Sequence, residues 1–251
     1  MNFSGRLVII TALAVTVLLV SNVIATKPLS LFDLPFEVLG STGVIVSVSV
    51  ICFPLSYIIS DVLTEVYGFR VARGVIWLGF ACNLLMVILI WLGGAIPGAV
   101  FWDNQNAYQV ILGTTGWLLL GSFAAYIVGE FSNATVMVVL KNATEGRFLW
   151  VRTISSTVVG QGVDSVIFYG IAFGISGLWP TTDVFRGMLF AWLVKTAYEI
   201  IATPLTYLVV GWLKRAEQMD IYDAPRSLNP FGIFGSGDET GFNAARPAAA
   251  S

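Results

Sequence analysis

Histidine is absent from this chain of 251 residues, charged residues make up only 11% of it, and cysteine occurs twice. Soluble domains average about 25% charged residues. Hydrophobic residues account for 57% of the chain, and a soluble domain of this size could not hide that much apolar surface, because much of such a domain still faces water. A lipid bilayer can solvate the surface, so the composition indicates an integral membrane protein.

The other scarcities exclude particular chemistries. Cys52 and Cys82 each lie in an apolar run without CxxC spacing. This argues against a disulfide framework, and the lack of histidine argues against a His-based metal site. No stretch rich in lysine and arginine alternates with aromatic residues, which argues against nucleic-acid binding. The chain also lacks a P-loop, so it does not hydrolyse ATP by that route. We expect no catalytic residues, no metal and no cofactor.

Six apolar stretches are each long enough to cross the hydrocarbon core, which needs about 20 apolar residues. The sequence therefore predicts an all-α membrane protein with one six-helix transmembrane domain over 1–215. The remaining residues, 216–251, are rich in Gly, Pro, Ala and Asp and predict a flexible cytoplasmic tail. The predicted spans are 7–26, 44–63, 75–93, 113–140, 153–177 and 187–213.

The first span could instead be a cleaved signal peptide, since Arg6 precedes it and Val23-Ile24-Ala25 is similar to a cleavage site. Its apolar core is longer than the usual 7–15 residues of a signal peptide. We therefore expect a retained helix.

Lysine and arginine mark the cytoplasmic side of a membrane protein. With six spans, both termini lie on one side, and we expect that side to be the cytoplasm. Lys27 and Arg186 fall on the opposite side, and Lys195 falls within a span. The predicted cytoplasmic side carries Arg6, Arg70, Arg73, Lys141, Arg147, Arg152, Lys214, Arg215, Arg226 and Arg246.

Ionisable residues inside spans are costly, by about 2.5–3.5 kcal/mol each on insertion scales, and are functional candidates by default. Residues three or four apart share a helix face, and three spans each carry such a polar face beside an aromatic residue. These faces must turn into the bundle, so we predict that they line one solute-binding pocket. The candidates are Glu130 and Asn133, with Tyr126 one turn earlier; Gln161, Asp164 and Phe168; and Lys195, Tyr198 and Glu199.

Other interpretations of these residues stay open. Lys195 and Glu199 could neutralise one another across one helical turn. The amides of Asn133 and Gln161 could join helices by hydrogen bonds. The two remaining carboxylates have no cation within one turn on their own helices, so a functional role is favoured for them.

A second charged cluster lies near the cytoplasmic end of span two. Asp61 and Glu65 share a face there, and Arg70 and Arg73 follow. The cluster either locks a cytoplasmic loop or forms a gate that opens and closes during transport. In span five, Gly170 and Gly174 form a small-xxx-small pair, which is typical of close helix packing or of a homodimer face.

The block from Phe53 to Gly68 ends in the pattern Asp-x-x-x-Glu-x-Tyr-Gly and is followed by Arg73. This block resembles the queuosine precursor transporter family, whose members are also described as vitamin-uptake-transporter-like. The resemblance runs from about residue 22 to about residue 214. Further matches are Ser21-Asn22-Val23-Ile24-Ala25 with Lys27, Glu130-Phe131 with Asn133, Arg152 with Ser155-Ser156-Thr157, Gln161 with Asp164-Ser165 and Phe168, and Lys195 with Tyr198-Glu199 and Pro204.

The resemblance implies uptake of 7-cyano-7-deazaguanine or 7-aminomethyl-7-deazaguanine across the bacterial inner membrane. It also implies a fold similar to the six-helix substrate-binding subunits of energy-coupling-factor transporters. Carboxylates suit this cargo, because they accept paired N–H donors in charge-assisted hydrogen bonds, and aromatic rings can stack on the base. We expect a secondary transporter, with proton coupling as a hypothesis based on the surplus of acids.

The alternatives are a substrate-binding subunit of an ATP-driven vitamin-type transporter, an intramembrane enzyme and a structural scaffold. An enzyme would need a nucleophile–base or metal constellation, and the sequence offers none.

Overall fold

A computed structural model describes residues 4–25, 27–38, 41–113, 116–175, 177, 180–223, 228–232 and 244–245. A 3-10 turn, Val48–Cys52, leads into the second helix, and a π-helical turn, Gly170–Ile175, extends the sixth. The helices are α1 Gly5–Ile24, α2 Phe53–Tyr67, α3 Phe69–Ala95, α4 Gln105–Leu112, α5 Gly116–Ala143, α6 Leu149–Tyr169 and α7 Thr181–Glu217.

The described residues contain six helical stretches long and apolar enough to cross a membrane. The predicted all-α fold with six spans is therefore confirmed, and the chain is a multi-pass membrane protein. Large apolar side chains cover the outside, as lipid contact requires; Leu89, Trp91 and Ile201 are 57%, 70% and 75% exposed. The six stretches are Gly5–Ile24, Val48–Tyr67, Phe69–Ala95, Gln105–Ala143, Leu149–Ile175 and Thr181–Glu217.

Several boundaries differ from those expected from hydropathy. The second stretch begins at Val48, four residues later than expected, and α3 begins at Phe69 rather than at residue 75. The last helix has 37 residues, which at 1.5 Å per residue makes it about 55 Å long. A helix of that length must tilt within a bilayer or extend beyond it.

A β-hairpin joins α1 to α2 and was not predicted. Strand β1, Pro28–Val38, pairs antiparallel with β2, Ser41–Ser47. Its second strand overlaps the apolar run that hydropathy assigns to the start of span two. Hydropathy misses the strand because a short apolar run does not distinguish strand from helix. Two short strands, β3 Ile221–Tyr222 and β4 Ala244–Ala245, form a second pair.

The turn between α2 and α3 consists of Gly68 alone, with a φ of +81° and a ψ of 169°. A β-carbon at this position would lie 2.9 Å from Cγ2 of Ile221 and 3.0 Å from Oδ2 of Asp223. The same Asp223 oxygen accepts a hydrogen bond from the backbone N–H of Phe69 at 2.8 Å, which satisfies a free donor at the start of α3. Glycine thus allows the residues after α7 to pack against this turn.

Parts of the predicted tail contact the bundle. The indole N–H of Trp77 donates to the carbonyl of Pro230 at 2.9 Å, and Arg73 donates to the carbonyl of Asn229 at 2.6 Å. These contacts and Asp223 hold residues 218–223 and 228–232 at the end of the bundle that carries the α2–α3 turn. Most of the rest of 216–251 lies outside the described residues, so the flexibility expected there stays a prediction.

Candidate functional site

Five spans meet around a cavity of about 120 Å³. An engineered protein cavity of about 150 Å³ takes up benzene, so the space is on the scale of one small ring. A second cavity, of about 50 Å³, adjoins it and shares Ser56, Tyr126 and Glu130. The larger cavity is lined by Val17, Leu18 and Ser21 of α1, Phe53, Ser56 and Tyr57 of α2, Tyr126, Gly129 and Glu130 of α5, Gln161 and Asp164 of α6, and Lys195 of α7.

Close packing of α5 on α6 brings their polar faces together. A β-carbon at Gly129 would lie 2.9 Å from Cβ of Asp164, and one at Gly160 would lie 2.7 Å from Cβ of Asn133. Small residues let helix backbones approach closely within membranes. The two glycines therefore set the short distance that places carboxylates of both helices at one cavity.

An ion pair crosses the cavity from α7 to α6. The Lys195 ammonium donates to Oδ2 of Asp164, and it lies 5.4 Å from the ring centroid of Phe53. The two charged side chains keep 12% and 22% of their surface exposed. Lys195 thus pairs across helices with Asp164, and its contacts give no support to neutralisation by Glu199 one turn along the same helix.

Other polar groups at the cavity keep free hydrogen-bonding capacity. The Ser60 hydroxyl donates to Oε2 of Glu130 at 2.9 Å, and no described side chain donates to the other oxygen of that carboxylate. The Gln161 side chain, 8% exposed, lines the cavity and makes no hydrogen bond to any described residue. The hydroxyl of Tyr57 is buried without a partner among the described residues. A polar ligand could satisfy all three groups at once.

Asp61 and Glu199 lie outside the cavity lining and are almost fully buried, at 1% and 0% exposure. None of their four carboxylate oxygens has a partner in hydrogen-bonding geometry among the described residues, although the Thr157 side chain lies beside Glu199. Asn133 lies beside Asp61, and its Nδ2 donates to Oγ of Ser60 at 3.4 Å while its Oδ1 is buried without a described partner. These residues form a layer of buried polar groups next to the cavity.

A network of ion pairs fills the end of the bundle beyond this layer. Glu65, fully buried, accepts two hydrogen bonds from Arg152, at 2.9 and 2.7 Å, and one from Lys214 at 2.6 Å. Lys141 lies 3.5 Å from the same carboxylate and 2.7 Å from Oδ1 of Asp220. Asp220 also accepts from Lys214 at 2.9 Å. The network ties α2, α5, α6 and α7 together.

The predicted gating residues are distributed over different places. Glu65 is at the centre of the network, whereas Asp61 lies one turn away from it and pairs with no charged side chain in the described part of the chain. Arg73 contacts the segment around Asn229, and Arg70 is exposed on α3. The cations that pair with Glu65 are Arg152, Lys141 and Lys214. The sequence predicts all three on the cytoplasmic side, and Arg152 also belongs to the family resemblance, but nothing in the sequence predicts their pairing with Glu65.

Two of the predicted aromatic residues lie away from the cavity. Phe168 packs edge-on against Tyr169 and Phe173, and Tyr198 packs against a small apolar cluster that includes Phe53. The rings that line the cavity are Tyr126, which the sequence predicts beside Glu130, and Phe53 and Tyr57, which it does not. A sequence signal for two of them existed, because Phe53, Tyr57 and Asp61 recur at intervals of four along α2 and thus share a face.

Comparison with known proteins agrees with this architecture. A model of the family described as "Putative vitamin uptake transporter" matches residues 47–209. A protein named "Probable queuosine precursor transporter" from Bacillus subtilis (strain 168) is 31% identical over 150 residues, which cover 59% of this chain and 64% of that protein. No solved structure gives a significant match, so the expected similarity to energy-coupling-factor subunits stays a prediction. The family match covers more than half of the chain and includes four of the five helices that line the cavity, and the chain therefore belongs to this family of vitamin-uptake-type transporters.

Proposed function

We propose that the chain takes up queuosine precursors, 7-cyano-7-deazaguanine or 7-aminomethyl-7-deazaguanine, across the bacterial inner membrane as a secondary transporter, with both termini in the cytoplasm. One observation carries the proposal. Glu130, Gln161 and Tyr57 line one ring-sized cavity from three different spans, and each keeps hydrogen-bonding capacity that the described residues do not use: one carboxylate oxygen, the amide and the buried hydroxyl. Buried polar groups are normally paired, so their vacancy supports a polar guest.

The donors and acceptors of the cavity match a deazaguanine. Such a base presents two adjacent N–H donors next to a carbonyl acceptor. Glu130 would accept both donors in a charge-assisted pair, and the Gln161 amide would donate to the carbonyl. A base without those donors would leave the carboxylate unpaired in a buried site, which is costly. The arrangement thus selects guanine-like edges.

The rest of the cavity suits the ring and its 7-substituent. Phe53 and Tyr126 offer aromatic surface, and stacking of a base on such a ring is worth about 1–3 kcal/mol. The Asp164–Lys195 pair offers both a carboxylate and an ammonium. The carboxylate would accept from the aminomethyl group of one precursor, and the ammonium would donate to the nitrile of the other. The pair therefore accommodates either substituent.

The ion-pair network around Glu65 is our candidate for the cytoplasmic gate. It joins four helices at the end of the bundle where Arg6 of α1 pairs with Glu217 of α7. Access from the cytoplasm requires these helices to separate there. Opening would break the buried ion pairs, and hydration of the separated charges would offset the lost Coulomb attraction.

Binding of both precursors to the purified chain tests the proposal, with guanine as competitor. We expect Glu130→Gln to weaken binding by about 10- to 150-fold, because a hydrogen bond to a charged group contributes about 1.5–3 kcal/mol. Glu37→Gln, at an exposed position of the hairpin, is the matched control and should bind like the wild type. Failure of both precursors to bind the wild type would refute the substrate assignment.

Uptake assays then distinguish the secondary transporter from the ATP-driven alternative. The purified chain alone, in liposomes, should accumulate labelled precursor without ATP. A strict requirement for a co-purifying ATPase would show that the chain is the substrate-binding subunit of a larger transporter instead.

A further inference from the structure

Two buried carboxylates lie one helical turn beyond the cavity. On α2, Asp61 follows the cavity residue Tyr57 by four positions, and on α7, Glu199 follows the cavity residue Lys195 by four. Four residues correspond to about 6 Å along a helix axis. Glu65 follows Asp61 by the same interval, so the two carboxylates occupy a layer between the cavity and the ion-pair network.

This layer contains no cation among the described residues. Lys195 pairs with Asp164 on the cavity side, and the cations on the other side pair with Glu65. The charged groups that act on Asp61 are Glu199 on α7, Glu65 on its own helix and Glu130 on α5. All of them are acidic. The phenol of Tyr57 also lies near the layer, and the charged groups that act on it among the described residues are Asp164, Glu199 and Glu130.

Full ionisation of this layer is physically untenable. An unpaired charge in a dry interior costs several kcal/mol even after relaxation, and two like charges nearby add repulsion. A proton removes both costs, because a protonated carboxyl can donate a hydrogen bond. The Asn133 side chain lies beside Asp61 and is 5% exposed, and its Oδ1 has no donor among the described residues. A protonated Asp61 could donate to this amide, whereas an ionised carboxylate could only accept from it. The unpartnered buried amide is a second observation at this place, and a proton on Asp61 would satisfy it.

We propose that Asp61 and Glu199 form the binding site of a coupling proton, and that one proton moves inward with each substrate molecule. The inference rests on the proposed transport function. A metal ion fits less well, because a hard cation takes six or more oxygen ligands. The part of the chain that the structure describes has no cluster of three or more His, Cys, Asp or Glu side chains that could hold one.

Two hydrogen bonds connect the cavity to Asn133, which lies beside the proton site. Ser60 donates to Glu130 at the cavity, Asn133 donates to Ser60 at 3.4 Å, and Asn133 also lies beside Asp61. A base that pairs with the Glu130 carboxylate changes the field at Asp61 and the hydrogen bonding of Ser60. By linkage, a proton at the buried pair must then change the affinity for the base by the same factor.

Proteoliposomes containing the full chain test the proposal with labelled 7-aminomethyl-7-deazaguanine and a pH-sensitive dye. Wild-type protein should accumulate the base when the interior is alkaline, and should carry protons inward as it does so. Asp61→Asn and Glu199→Gln should still bind the base and exchange it between the two sides at equal pH. Both should lose accumulation driven by the pH gradient, because an amide cannot release a proton.

Two exposed carboxylates provide matched controls. Asp103→Asn and Glu37→Gln make the same chemical changes at exposed positions and should keep pH-driven accumulation. If an amide variant aggregates, Glu199→Asp is the alternative, because it keeps an ionisable group. A second alternative needs no mutation: it measures, in detergent, the protons that the wild type takes up when it binds the base.

The outcomes separate this inference from the proposed function. Wild type that binds and exchanges the base without proton movement, or that accumulates it only with a sodium gradient, overturns the proton site and leaves the substrate proposal intact. Amide variants that keep pH-driven accumulation overturn it as well. Wild type that binds neither precursor overturns the proposed function itself.

Discussion

Loss of the Glu65 charge should destabilise the protein strongly. Glu65→Gln removes the carboxylate that Arg152 contacts through two hydrogen bonds and that Lys214 contacts at 2.6 Å. It leaves the cations of Arg152 and Lys141, each 2% exposed, with Asp220 as the nearest carboxylate of the network. Removing one member of a buried ion pair typically costs about 3–5 kcal/mol, because the other charge stays buried without a partner.

The cost should fall in a defined order within the network. Arg152→Gln should cost less than Glu65→Gln, because Lys214 still neutralises the carboxylate. Lys214→Gln should cost least, since this side chain is 19% exposed. The double variant of Glu65 and Arg152 should be more stable than the sum of the single changes predicts, with a coupling energy of about 0.5–3 kcal/mol.

Reversible unfolding in mixed micelles, titrated with SDS and followed by tryptophan fluorescence, measures these differences. Asp183→Asn is the control, because its ion pair with Arg186 is partly exposed and such pairs contribute about 0–1 kcal/mol. A free energy of unfolding for Glu65→Gln that matches the control would refute the structural role assigned to the network. Additive single changes would show that Glu65 and Arg152 do not interact.

Two further predictions concern packing. Gly68→Ala should destabilise the protein by about 1–3 kcal/mol, because the backbone conformation is essentially restricted to glycine and the new β-carbon would lie 2.9 Å from Ile221. Gly74→Ala is the control, since nothing lies within 4 Å of a β-carbon there. Equal thermal stabilities of the two variants would contradict the assigned turn. Asn22→Leu should lower the free energy of unfolding by about 0.6–1.7 kcal/mol, because it removes the 3.0 Å hydrogen bond to Asn83 between α1 and α3. The same SDS titration measures this change. A variant as stable as wild type would show that the bond contributes nothing.

The six spans could be predicted because each depends on a local property. A span needs about 20 apolar residues in sequence, and that count does not depend on what the helix packs against. The hairpin of 28–47 could not be predicted in the same way, because its apolar residues are compatible with either a strand or the start of a helix. Pairing with a partner strand decides between them, and hydropathy contains no information about pairing.

The polar faces of α5, α6 and α7 were also visible in the sequence, since residues three and four apart share a face on any helix. Which groups then meet depends on how each helix is rotated and how closely it packs. Lys195 had a partner one turn away in Glu199 and one across the bundle in Asp164, and spacing alone could not choose between them. The structure brings Lys195 to Asp164, and it leaves Glu199 buried without a described partner.

The sequence by itself determined that this is a six-span membrane protein, which side chains are polar within the spans, and which family it resembles, because these features are linear in the chain. Tertiary structure alone decided that Phe53 and Tyr57, rather than Phe168 and Tyr198, join Tyr126 at the cavity, and that Glu65 is neutralised by cations from α5, α6 and α7. The physical reason is that contacts between helices depend on rotation and distance. Here Gly129 and Gly160 set that distance between α5 and α6.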